Sequence, residues 1–157
     1  MPEYLKSGNY QPRPSIATVA NAMDVGAPSN FERVQSLYSS DLAALRGDMV
    51  GFAYDDSQVI AEMGRVYREH GYLLDPHSAI AWLALRDRLA DRPDAHGVFL
   101  ATAHPAKFRE VVEPAIGRSI ELPRALANAL SRPRHSISMP ADYDALEEFL
   151  RAARVQS

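Results

Sequence analysis

Cysteine is absent from this 157-residue chain, which excludes disulfide staples and thiolate metal sites and is compatible with a reducing compartment, the cytoplasm being the simplest. No apolar run approaches the ~20 residues that a membrane-spanning helix needs. The opening Met1-Pro2-Glu3-Tyr4 has the character of neither a signal peptide nor a transit peptide. The expectation is a soluble protein that is not exported and has no membrane partner. An excess of positive charge is missing as well: 17 basic residues face 20 acidic ones, for a net charge of −3. The arginines are scattered rather than massed on one face, which argues against nucleic-acid binding. The histidines form no close His-x-x-x-His pair, so no metal site is expected. Lysine is scarce, with Lys6 and Lys107 the only two.

What is present is an ordinary globular mixture, 46% hydrophobic and 24% charged, enough for one core and, by default, one domain. The prolines of Gly8-Asn9-Tyr10-Gln11-Pro12-Arg13-Pro14 force an extended connector, followed by a short strand at residues 16–19. Ser29-Asn30-Phe31-Glu32 fits a capping box, in which hydroxyl and carboxylate serve the first turn of a helix reciprocally. Val34, Leu37, Tyr38 and Leu45 keep helical spacing up to a stop at Gly47.

A second helix is expected from Asp55-Asp56 to Gly71, with Val59, Ile60, Met63, Val66 and Tyr67 inward. A third opens at Asp75-Pro76, and its Ile80, Trp82, Leu83, Leu85 and Leu89 leave so little polar face that burial on more than one side is expected. Residues 97–102 (Gly-Val-Phe-Leu-Ala-Thr) read as a buried parallel strand. Pro105 opens the next helix, with Phe108, Val111 and Val112 inward and Pro114 limiting it. Pro123 starts another, residues 136–139 suggest an edge strand, and Asp142 caps a last helix with Leu146, Phe149 and Leu150 inward. The alternation points to an α/β fold.

Two places have the makings of chemistry. A helix start at Pro28-Ser29-Asn30 with Arg33 in its first turns combines free N–H groups, the helix dipole and a guanidinium, a combination suited to an anion, although most such boxes only start helices. At Thr102-Ala103-His104-Pro105-Ala106-Lys107 a strand ends and a helix begins, the position where open α/β sheets hold ligands. The plainer alternative there is a turn in which His104 bonds to the backbone and Lys107 lies in solvent. His77 and Trp82 read as packing residues.

Beyond these local signals, Asn21-Ala22-Met23-Asp24-Val25-Gly26-Ala27-Pro28-Ser29-Asn30-Phe31-Glu32-Arg33 resembles the middle of bacterial threonine synthases. Gly71-Tyr72-Leu73-Leu74-Asp75-Pro76-His77-Ser78-Ala79 and Thr102-Ala103-His104-Pro105-Ala106-Lys107-Phe108 are similar to the same family, in the same order. So are Ile120-Glu121-Leu122-Pro123 and Pro140-Ala141-Asp142-Tyr143. The resemblance covers nearly the whole chain.

It implies a carboxy-terminal portion, residues 1–157, of a pyridoxal-phosphate enzyme of the tryptophan synthase β-like type (fold type II), with helices packed on a short, mostly parallel sheet. That family converts O-phosphohomoserine and water to threonine and phosphate, as a carbon–oxygen lyase acting on phosphates. Its Schiff-base lysine and its Gly/Asn-rich cofactor-phosphate loop lie in an amino-terminal segment that is not recognisable here. The fragment alone is therefore expected to be inactive. By resemblance Thr102 is the hydroxyl facing the pyridine nitrogen, and Ser29, Asn30, Arg33, His104 and Lys107 are candidates for the substrate's phosphate or carboxylate. Alternatives are a noncatalytic anion-binding module and a fragment of another fold-type II lyase. An incomplete sheet would also favour self-association.

Overall fold

A computed structural model describes residues 1–21 and 24–154, with the backbone alone at 153 and 154. Ala22 and Met23 of the family-like run lie outside the described residues. The chain divides into two compact units, Met1–Glu121 and Leu122–Ser157, where the composition suggested one.

The first unit begins with α1 (Pro2–Ser7), α2 (Phe31–Leu37) and α3 (Leu42–Asp48). Their apolar faces meet around Tyr4, Phe31 and Leu45. The Tyr4 ring stands edge-on to Phe31 at 4.8 Å, and Tyr10 stacks on the same ring at 4.0 Å, both favourable aromatic arrangements. The single helix expected across residues 29–47 is two. Ser39 and Ser40 take φ of 49° and 61°, left-handed values that end a helix. Asp41 then restarts the chain by accepting the N–H groups of Ala43 and Ala44 at 2.8 and 3.0 Å. Such short polar side chains compete with the helix for its backbone and favour its ends.

The capping box at Ser29 does not form. Asn30 occupies the N-cap with helical backbone angles and no side-chain bond. A residue already in the helical region does not turn its side chain back onto the first free amides as an extended N-cap does.

The main scaffold consists of α4 (Asp56–His70), α5 (Pro76–Leu89), a 3-10 turn (Pro105–Phe108) and α6 (Arg109–Ile116). Here the helix ends fall where expected, although Ile60, expected inward on α4, is exposed. Asp55 and Gln58 form a full capping box on α4, and Gly71 ends it at φ 64°. Asp75 caps α5 ahead of Pro76. Gly117 closes α6, which runs on for two residues beyond Pro114. Val59, Met63, Val66, Leu74, Ala79, Leu83, Ala106, Phe108 and Val112 are buried, and α4 packs on both α5 and α6. Gly64 allows the α4–α6 approach: a Cβ there would lie 2.6 Å from the Ala115 carbonyl oxygen. Between α4 and α5 the buried Glu62 takes hydrogen bonds from Arg65, from the Trp82 indole at 2.8 Å and from Arg86 at 2.9 Å. A buried carboxylate is tolerated when its oxygens are filled in this way.

No strand occurs among the described residues, so the expected runs at 16–19, 97–102 and 136–139 are not paired. Within this run the Gly97 backbone and the Phe99 ring nevertheless lie against α5, while Val98 and Leu100 face solvent. A Cβ at Gly97 would strike Leu85 at 2.3 Å, and Phe99 meets Trp82 edge-on at 5.6 Å. Val98 and Leu100 are 88% and 76% exposed. A strand is completed by neighbours that supply hydrogen bonds, and none of the described segments makes a backbone hydrogen bond to this run.

The second unit holds α7 (Arg124–Leu130) and α8 (Tyr143–Arg154). Asp142 bonds to the Ala145 N–H at 3.0 Å, the cap expected there. Leu146, Phe149 and Leu150, expected inward, are at least 38% exposed, because a pair of short helices has little apolar surface with which to cover them.

Candidate functional site

The run at 97–102 meets α5 at Gly97 and Phe99 and leads to an exposed Thr102. Thr102, His104 and Lys107 are all exposed, while Ala106 and Phe108 between and beyond them are buried. The 3-10 turn thus anchors itself by two apolar side chains and directs its polar ones outward. His104 Nδ1 accepts the Ala106 N–H at 3.1 Å, which caps the turn. In the neutral ring this leaves the proton on Nε2, facing solvent as a donor. The plainer reading of His104, a bond to its own backbone, is therefore what the turn contains, and it orients the ring without consuming its outer nitrogen.

Support comes from the start of α5. Asp75, almost fully buried, accepts the His77 N–H at 3.0 Å, the Ser78 hydroxyl, and His77 Nδ1 at 3.1 Å. The His77 ring leans on Phe108 with centroids 5.2 Å apart. Its Nε2 is buried with no partner, so the neutral ring donates from Nδ1 to Asp75 and keeps a lone pair on Nε2. The three-way bonding of Asp75 was not legible beyond its role as a cap. It holds the His77 ring in place, and the contact of that ring with Phe108 joins α5 to the turn carrying Thr102, His104 and Lys107.

The other cluster sits at the start of α2. Ser29, Asn30 and Arg33 are exposed, and only the backbone of Asn30 engages the helix, its carbonyl accepting the Arg33 N–H at 3.1 Å. Asn30 lines a cavity of about 650 Å³ with Tyr10, Arg13, Gly26 and Phe31. Two cations line the cavity, Lys6 and Arg13, and Arg13 pairs with Glu3 at 3.0 Å. It was passed over because its Pro-Arg-Pro setting reads as a connector. Arg33 and Lys107 make no salt bridge among the described residues. Each is a free positive charge on the surface of the first unit. None of Ser29, Arg33, Thr102, His104 and Lys107 lines the Asn30 cavity, so the six residues form two surface clusters rather than one enclosed site. Among the described residues no group of three His, Asp or Glu side chains could hold a metal ion.

Comparison with known proteins converges on one family. The model of the family described as "Threonine synthase, C-terminal" matches residues 78–150. The chain is 39% identical over 150 residues to threonine synthase from Escherichia coli, covering 96% of this chain and 34% of that protein. It is 41% identical to the Serratia marcescens threonine synthase over the same shares. The crystal structure of the Escherichia coli enzyme superposes with a TM-score of 0.83 over 97% of this chain and 35% of its own. The pyridoxal-phosphate-bound threonine synthase of Brucella melitensis gives 0.67 at 31% identity, over 96% of this chain and 37% of its own. The chain thus spans about a third of the length of these relatives.

Proposed function

The chain belongs with the threonine synthases, and from that premise we propose that it forms one wall of the active site of a pyridoxal-phosphate-dependent enzyme converting O-phosphohomoserine and water to threonine and phosphate. When bound, the cofactor supplies an electron sink. The contribution of this chain is recognition. The observation that carries the reading is the placing of Thr102, exposed at the end of a run that is anchored on α5 by Gly97 and Phe99. A hydroxyl set there can meet the ring nitrogen of pyridoxal phosphate, and being uncharged it does not hold that nitrogen protonated as a carboxylate would.

His104 Nε2 and Lys107 stand on the same turn as donors for a phosphate or carboxylate oxygen, and Ser29, Asn30 and Arg33 form a second anion-facing group. These residues fit the polar surroundings of the cofactor and an anionic substrate. They do not fit its covalent attachment, since Lys6 lies on α1 and Lys107 on the 3-10 turn, away from any segment resembling the family's cofactor lysine. In this reading the chain is the carboxy-terminal portion, supplies no such lysine and turns nothing over by itself. Residues 97–102 form one strand of a mostly parallel sheet completed by the rest of the polypeptide.

The test is a chimera in which this chain replaces the matching 34% of the Escherichia coli enzyme. It should release phosphate from O-phosphohomoserine, whereas the isolated chain should release none. Thr102→Val in the chimera should lower kcat by at least 10-fold, the loss of one well-placed hydrogen bond of about 1.4 kcal/mol or more. A folded chimera without turnover, or one indifferent to Thr102→Val, would refute the assignment.

A further inference from the structure

Two aromatic contacts bracket Thr102, His104 and Lys107, and both are made on α5. Ahead of these residues, Phe99 meets the Trp82 indole edge-on with centroids 5.6 Å apart. Beyond them, Phe108 leans on the His77 ring at 5.2 Å. The two α5 rings are themselves held, each in the same manner. The Trp82 indole donates its N–H to Glu62 at 2.8 Å, and His77 Nδ1 bonds to Asp75 at 3.1 Å. Both acceptors are buried carboxylates, 5% and 1% exposed.

A phenyl ring packs on phenylalanine as well as an indole or imidazole does, so packing alone does not call for a ring N–H. What the N–H adds is a fixed ring plane, because a charge-assisted bond to a buried carboxylate is strong and directional. At His77 this comes at a cost, for its Nε2 is buried without a partner, a state that a phenyl ring would avoid. Between the two contacts the chain is tied to itself. The Ala106 N–H bonds to His104 Nδ1 at 3.1 Å and the Lys107 N–H to the His104 carbonyl at 3.0 Å. Residues 104–107 therefore move as a unit, and the two ring contacts set where that unit stands on α5.

We propose that Trp82 and His77 are positioning residues for the reaction, acting through Phe99 and Phe108 to hold Thr102, His104 and Lys107 in place. Phe99 lies three residues before Thr102, so the Trp82 contact governs the hydroxyl offered to the cofactor ring. Phe108 adjoins Lys107, so the His77 contact governs the groups offered to the substrate's anion. The inference rests on the roles given above to Thr102, His104 and Lys107, and it adds two residues whose sequence setting indicated only packing.

The first measurement needs neither cofactor nor substrate. In the full 157-residue chain, NMR relaxation should show the backbone order parameters of residues 104–107 falling from about 0.85 to about 0.6 or below in Trp82→Leu and in His77→Asn. Asp55→Ala, which loses the α4 capping box and touches neither ring, should leave them unchanged. The second measurement uses the chimera described above. There Trp82→Leu should lower kcat about 5-fold or more with KM within about 2-fold, and His77→Asn should raise KM for O-phosphohomoserine about 5-fold or more. Trp82→Leu combined with Thr102→Val should lose little beyond Thr102→Val alone, since the indole acts through that hydroxyl.

Order parameters unmoved by either substitution, losses that multiply in the double variant, or the same effects from Asp55→Ala would each overturn the proposal. If circular dichroism shows Trp82→Leu unfolded, Trp82→Phe, which leaves a ring but gives up the bond to Glu62, is read in its place. A chimera without turnover, alongside an isolated chain that responds as predicted, would refute the enzymatic reading and leave Trp82 and His77 as the residues that position this segment.

Discussion

Replacing glycine by alanine within a helix normally stabilises it by about 1 kcal/mol, because the unfolded backbone has less freedom to lose. Gly64 in α4 should reverse that sign. Its added Cβ would sit 2.6 Å from the Ala115 carbonyl oxygen and 3.1 Å from an Arg68 nitrogen. Arg68 can swing aside at little cost, but the carbonyl belongs to the backbone of α6 and moves only with the helix. Overpacking of this kind costs typically 1–3 kcal/mol. Set against the propensity gain, Gly64→Ala should destabilise by about 1 kcal/mol. Gly47, in α3, is the control, for nothing lies within 4 Å of its added Cβ. Gly47→Ala should therefore stabilise by about 0.5–1 kcal/mol. Urea denaturation of both variants measures the difference, about 2 kcal/mol between two chemically identical changes. Equal stabilisation by the two would show that α4 and α6 are not in the contact described.

Two further outcomes follow from the buried carboxylates. Glu62 is held below the usual carboxylate range by its hydrogen bond from Arg65 and by the charge of Arg86, against the opposing effect of burial. Its stabilising contribution is therefore present above the unfolded value near 4.5 and is lost as pH falls through the lower folded value. The stability gap between wild type and Glu62→Gln should accordingly shrink on acidification, and denaturation curves giving a pH-independent gap would contradict the burial of that network. Asp75→Ala removes the α5 cap and leaves the Ser78 hydroxyl and the His77 amide without their acceptor. We expect a loss of about 2–4 kcal/mol, with Asp75→Asn losing less because it can still cap; thermal unfolding showing the two variants alike would exclude the capping role.

How legible the structure was in the sequence depends on how local each signal is. Asp55-Asp56, Asp75 with Pro76, and Gly71 marked the ends of α4 and the start of α5, because a cap is a contact between near neighbours. The break between α2 and α3 was hidden by its own regularity. Val34, Tyr38, Leu42 and Leu45 all pack on the same Tyr4–Phe31–Leu45 cluster, so the helical period persists while the helix itself stops at Ser39 and Ser40. Residues 97–102 announced an apolar strand, but a strand's partners are distant in sequence and leave no trace in the run itself. Of the site, the exposed turn at Thr102, His104 and Lys107 was readable from its position. Glu62 was not: a charge within a helical stripe reads as solvated, and its partners Trp82 and Arg86 stand 20 and 24 residues away.

The packing of α4 on α5 and α6 has a consequence for timing. Of these, only α4 and α5 are consecutive helices with a short connection, and contacts local in sequence form quickly because little loop entropy is lost before they are made. The α4–α5 pair can therefore assemble early from its own stretch of chain, ahead of α6, which reaches Gly64 of α4 only across the whole of α5 and the run that follows it.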